Sequence, residues 1–121
     1  MEFATLLLNL LAAGAGLTLA PEGAAAFQAL TARLEDDHDV ETLSLLPRAP
    51  MEAGVRQSLL SELLDPAIAA DPGVTVQAEM LRAAIEELPE EETIRFGLGR
   101  EALRTGRAVI AALVENAPRA G

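Results

Sequence analysis

The chain contains no cysteine, lysine, tyrosine or tryptophan, and His38 is its single histidine. Those side chains supply most nucleophiles, Schiff bases, proton shuttles and soft metal ligands, so an enzyme built from this sequence would have to work with carboxylates, arginines and hydroxyls. The composition therefore points away from catalysis, and no cofactor or metal is expected. The three phenylalanines are spread along the chain and cannot line the aromatic sugar cleft that paired catalytic glutamates require. The absence of cysteine excludes disulfide support but does not decide the redox compartment. With lysine missing, all nine basic residues are arginine, against 19 acidic ones, for a formal net charge of −10. A nucleic-acid duplex or an anionic membrane would be repelled by the average surface of such a molecule, so nucleic acid is not an expected partner.

Half of the 121 residues are apolar, enough to build one core without staples, and a single domain covering 1–121 is expected. From Phe3 to Ala20 the chain is apolar apart from Thr5, Asn9 and Thr18. A secretory signal would carry positive charge before such a run, whereas Glu2 stands there, and Pro21 follows the best small-residue cleavage position. As a membrane span the run is at the short limit, interrupted at Gly14 and Gly16, and has no flanking Arg or Trp anchors. A buried first helix over Glu2–Ala13, central in the fold and stopped by Gly14 or Gly16, accounts for it better.

Apolar spacing then predicts an all-α domain, a single compact bundle of five to six short helices. Pro21 and Glu22 suit the first turn of a second helix, and Phe27, Leu30 and Leu34 continue it as one stripe. Glu35-Asp36-Asp37-His38-Asp39 interrupts the rhythm and, with the short apolar piece Val40 to Leu46 that follows, reads as an exposed connection or a short helix, before a turn bracketed by Pro47 and Pro50. Met51 to Leu64 carries Val55, Leu59, Leu60, Leu63 and Leu64 at helical spacing. Asp65-Pro66 and Asp71-Pro72-Gly73 are acidic caps followed by proline. The helix resuming at Val74 or Thr75 would turn Val76, Met80, Leu81, Ile85 and Leu88 inward and end at Pro89. Thr93 to Leu98 mixes β-branched and aromatic residues and predicts a short strand or extended connector. Arg100 to Asn116 closes the chain with Leu103, Val109, Ile110, Leu113 and Val114 on one side and Gly106 as a weak point that costs about 1 kcal/mol relative to alanine.

Three charged groups are the candidate sites. Asp36, Asp37, His38, Asp39 and Glu41 are dense in oxygen ligands, but the alternating ligands, glycine and terminal glutamate of a calcium loop are missing. Glu86, Glu87, Glu90, Glu91 and Glu92 form a second acidic group, which reads as a helix end kept soluble by charge. Arg100, Arg104 and Arg107 stand at i, i+4, i+7 and share one helix face, a basic stripe on an acidic molecule. Either this stripe pairs internally with Glu86 to Glu92, or it contacts a partner. Gly97-Leu98-Gly99 before Arg100 lacks the strand, lysine and full glycine pattern of a nucleotide site. The expected partner-binding residues are thus Arg100, Arg104, Arg107, Glu86, Glu87, Glu90, Glu91, Asp36, Asp37 and Asp39.

Leu10-Leu11-Ala12-Ala13-Gly14-Ala15-Gly16, together with Leu63-Leu64-Asp65-Pro66 through Ala70-Asp71-Pro72, resembles the effector-associated, death-like adaptor modules of GC-rich bacteria. The resemblance covers roughly the first 90 residues and is mostly compositional. It implies a helix-bundle adaptor that pairs a sensor with an effector in a bacterial defence system. Ile94-Arg95-Phe96-Gly97-Leu98-Gly99 departs from the amyloid-type motif with which some such chains end, so templated fibril signalling is not implied. The reading that follows is a non-catalytic, cytoplasmic protein-protein interaction module, an adaptor or regulator that binds another protein or itself. Two alternatives stand beside it: an acidic inhibitor or chaperone occupying a basic groove of a nuclease, toxin or effector, and a membrane-active small protein using its apolar N-terminal helix.

Overall fold

A helix that is apolar on every side is stable in water only when other elements surround it. In the computed structural model, which describes residues 2–116, helix α1 (Phe3–Gly16) occupies that position. Leu6, Leu7, Leu8, Leu10 and Leu11 are wholly buried although they point in all directions around its axis. Around it run α2 (Pro21–His38), a 3-10 segment (Thr42–Arg48), α3 (Ala53–Leu63), α4 (Pro66–Ala69), α5 (Pro72–Glu86), α6 (Glu90–Thr93) with a 3-10 continuation (Ile94–Phe96), and α7 (Arg100–Asn116). The architecture is all-helical, with no strand among the described residues. Taking α6 with its continuation, the described residues form eight helical segments rather than the expected five to six. None of the described helices is long and apolar enough to cross a membrane.

The additional segments have local causes. Asp65 accepts a hydrogen bond from the Ala67 amide and Asp71 one from the Gly73 amide, both at 2.9 Å, so each Asp-Pro pair caps a separate helix with proline at its start. Val40 to Leu46, rather than crossing the surface as a loop, buries Val40, Leu43 and Leu46. The carboxylate of Glu62 on α3 anchors that piece, accepting from the Glu41 and Thr42 amides and the Thr42 hydroxyl.

The extended segment expected at Thr93 to Leu98 is instead a helical turn followed by a tight bend. Glu90, Glu91 and Glu92 occupy the first turn of α6, where carboxylates are favoured. The buried Thr93 hydroxyl donates to the Glu90 carbonyl, and Gly97, at φ 75°, closes the turn. With no second strand to pair with, the β-branched residues had nothing to set against these local bonds. Of the two readings of Glu35 to His38, exposed connection or short helix, the structure takes the helical one, as the last turn of α2, which ends at Asp39 in the left-handed region at φ 53°.

Two faces differ from the expected ones. In α5 the buried arc comprises Val74, Thr75, Ala78, Leu81, Arg82 and Ile85, while Val76 and Met80 are 50% and 47% exposed. The arc is turned because α5 packs against α2 on one side and α7 on the other, and the α7 side is taken by Arg82. Leu64 and Val114, both also expected inward, are about half exposed. The α1 helix runs through Gly14 rather than stopping before it, because the missing side chain is filled: a Cβ there would lie 2.5 Å from the Phe27 ring.

Gly106 is the second such contact. It is buried in α7, and a Cβ on it would lie 2.7 Å from Cδ1 of Leu6, itself fully enclosed. The glycine that weakens the isolated helix is therefore what lets α7 lie against α1. Gly106→Val should lower stability by about 1–3 kcal/mol through overpacking, read as a reduced urea midpoint with an unchanged slope; a midpoint at or above that of the parent protein would refute the close approach.

Candidate interaction surface

α2 and α5 are antiparallel neighbours. His38 at the end of α2 meets Asp71 at the start of α5, and Gly23 near the start of α2 lies under Ala84 near the end of α5. The expected partner-binding residues are therefore divided between two ends of the molecule, separated by roughly 25 Å of helix at 1.5 Å per residue. Asp36, Asp37 and Asp39 stand at one end. Glu86, Glu87, Glu90 and Glu91 stand at the other, beside the N-terminal half of α7 and its arginines.

At the first end the charges are largely engaged. Asp71 accepts both Nε and Nη2 of Arg33 at 2.9 Å, and its Oδ2 lies 2.8 Å from His38 Nε2. A carboxylate only accepts, so Nε2 carries the proton in that bond. The Arg33 fork, then the His38 and Gly73 donors, hold the Asp71 carboxyl far below its usual range even against partial burial. Asp37 pairs with Arg33 at 3.1 Å across one helical turn, leaving Asp36 and Asp39 exposed and without an ion pair. Among the described residues no group of three or more His, Asp or Glu side chains is placed to hold a metal ion.

The second end is organised by a buried arginine. Arg82 is 3% exposed and donates to Glu79 at 2.7 Å, to Glu86 at 2.7 Å and to the Leu103 carbonyl of α7 at 3.3 Å. Burial opposes its charge, but the bonds to Glu79 and Glu86 outweigh it and its pKa lies above the usual value. Glu86 is thus committed to Arg82. Glu90 is committed too, its Oε2 accepting the Arg100 backbone N–H at 2.7 Å and so capping α7. Glu87, Glu91 and Glu92 remain exposed.

These commitments leave the basic stripe free. Arg100, Arg104 and Arg107 are exposed, line one groove with Glu86, and form no salt bridge with any described residue. Arg107 also borders a second, larger groove of about 630 Å³ between α5 and α7, walled by Val76, Met80, Ile110 and Val114. Val76 and Met80 were expected in the core, so the sequence pattern concealed this groove. The clue lay in Arg82, flanked by Glu79 and Glu86 at i−3 and i+4, a spacing that lets an arginine be buried and turns the helix accordingly.

The Asp71 network predicts an acid-dependent contribution to stability. Asp71 titrates at a depressed value when folded and near its usual 3.8 when unfolded, so its contribution is complete above that usual value and is lost as pH falls below it. Asp71→Ala should be about 1–2 kcal/mol less stable at neutral pH through the lost cap and pairings. That gap should narrow as pH drops below about 4, as followed by urea unfolding; a gap independent of pH would contradict the network.

Comparison with known proteins adds no relative: no family model, no curated protein and no solved structure matches the chain.

Proposed function

We propose that this chain is a non-catalytic protein-interaction module, an adaptor or regulator of bacterial signalling or defence, and that it docks a partner helix along α5 and α7. The observation that carries this reading is the continuity of the two grooves at Arg107: a cleft with half-exposed Val76, Met80 and Val114 runs into three arginines that have no carboxylate partner among the described residues. An amphipathic helix with apolar anchors at i, i+3 or i+4 fits the cleft, and acidic residues at one end of it complement the stripe. Apolar burial supplies most of the affinity, and the arginines set direction and register.

The acidic-inhibitor reading draws on a different observation, the exposed Glu87, Glu91 and Glu92 near one end of α5 and Asp36 and Asp39 near the other. A basic groove engaging both would have to span the length of α5, which makes that reading the more demanding one.

The reading is tested by capture from native lysate with the parent protein, with Arg100→Glu/Arg104→Glu and with Met80→Asp. Both variants alter exposed positions, so helical circular dichroism should be unchanged while the proteins retained by the parent are lost. Retention of the same partners by both variants would remove the α5–α7 face from consideration. Loss only with the arginine reversal, at moderate salt, would favour purely electrostatic docking.

A further inference from the structure

A separate opening lies between α1, the start of α3 and the Ile94–Phe96 turn, and shares no residue with the α5–α7 grooves. Its floor is Asn9. This residue sits in the middle of the apolar helix α1 and is 6% exposed, yet its carboxamide makes no hydrogen bond to any described residue. No side-chain nitrogen or oxygen of the described residues is both sealed from solvent and without a partner, so the Asn9 carboxamide opens into the cavity, whereas every other buried residue of α1 is Leu, Ala or Phe.

Two arginines, Arg56 and Arg95, line the same cavity of about 300 Å³. Neither forms a salt bridge among the described residues, on a chain where acidic residues outnumber basic ones 19 to 9. Arg95 is held over the Phe96 ring, 4.9 Å from its centroid, an arrangement that orients the cation without neutralising it. A second lobe of about 410 Å³ shares Arg95 and Phe96 and extends along Pro47 and Met51. One lobe therefore offers a carboxamide and two unpaired arginines, and the adjoining one offers apolar walls.

We infer that this double cavity binds an organic carboxylate that carries a small apolar group. Guanidinium forks match the two oxygens of a carboxylate, the Asn9 amide donates from below, and the apolar group lies along Phe96, Pro47 and Met51. The apolar lobe distinguishes this ligand from an inorganic anion, which would leave half the site unused. The chemistry is shared by small free carboxylic acids and by a peptide C-terminus following an apolar side chain.

The test is titration of the isotope-labelled full chain, by NMR and calorimetry, with hexanoate and with N-acetyl-leucine, each beside its neutral amide and beside inorganic phosphate. At least one acid should shift the Asn9 side-chain amide and the Gly97 backbone signal, and its amide should bind about ten-fold more weakly or worse. Stronger hexanoate binding would identify the small-acid source, and stronger N-acetyl-leucine binding the peptide terminus. Arg56→Gln and Arg95→Gln should each weaken binding by about ten-fold while circular dichroism stays the same. Asn9→Leu, compatible with the core, should weaken it as well. No response to either acid, equal binding of acid and amide, or phosphate binding as tightly as both acids would overturn the inference.

Discussion

The fold depends on the complete enclosure of α1. Each of its buried leucines contributes about 1.5–3 kcal/mol when removed from water, and that gain requires neighbours on every side. The chain supplies them by wrapping α2, α3, α5, α7 and both 3-10 segments around one axis. Close approach is then a condition of stability, which is why small residues stand where two elements meet: Gly14 against Phe27 and Gly106 against Leu6. Asn9 is the one polar side chain among the buried residues of α1, and it lies beside Gly97 at the edge of a cavity.

Electrostatics refine what apolar burial sets up. The two ends of α5 carry the two engaged charge networks, Asp71 with Arg33 and His38 at its start and Arg82 with Glu79 and Glu86 at its end. The first ties α5 to α2, the second to α7 through the Leu103 carbonyl. Long-range bonds with buried partners select one antiparallel register, whereas exposed pairs such as Arg48 with Glu52 contribute little.

Much of this was legible in the residues. The central position of the first helix followed from its uniform apolarity, and the acidic caps at Asp65 and Asp71 from Asp-Pro, although α5 begins at Pro72 rather than at Val74 or Thr75 and the short α4 has no counterpart in the sequence reading. The stripe at Arg100, Arg104 and Arg107 followed from spacing alone. The rest depends on tertiary partners. Arg33 and Asp71 are 38 positions apart, so nothing local links them, and the acidic run before Asp39 is ambiguous between loop and helix because its charge is visible in the sequence and its partner is not. The α5 face was misplaced because Val76 and Met80 repeat at i, i+4 just as Val74 and Ala78 do, and periodicity cannot choose between two stripes when one contains a compensated arginine. At Thr93 to Leu98, β propensity expressed side-chain shape, while the outcome rested on helix-end electrostatics and a glycine bend.

The placement of three arginines without an ion pair among the described residues, on a chain of net charge −10, has a kinetic consequence for the proposed docking. A partner with an acidic patch meets repulsion from the molecule as a whole and attraction from the α7 stripe only within a screening length, about 8 Å at physiological ionic strength. In dilute salt that length grows to about 30 Å at 0.01 M, and at such range the net charge of the whole molecule outweighs the local stripe. For the acidic partner proposed above, association at this face would be slow in dilute buffer and faster as salt rises toward physiological levels, because the net repulsion acts at long range and is screened first.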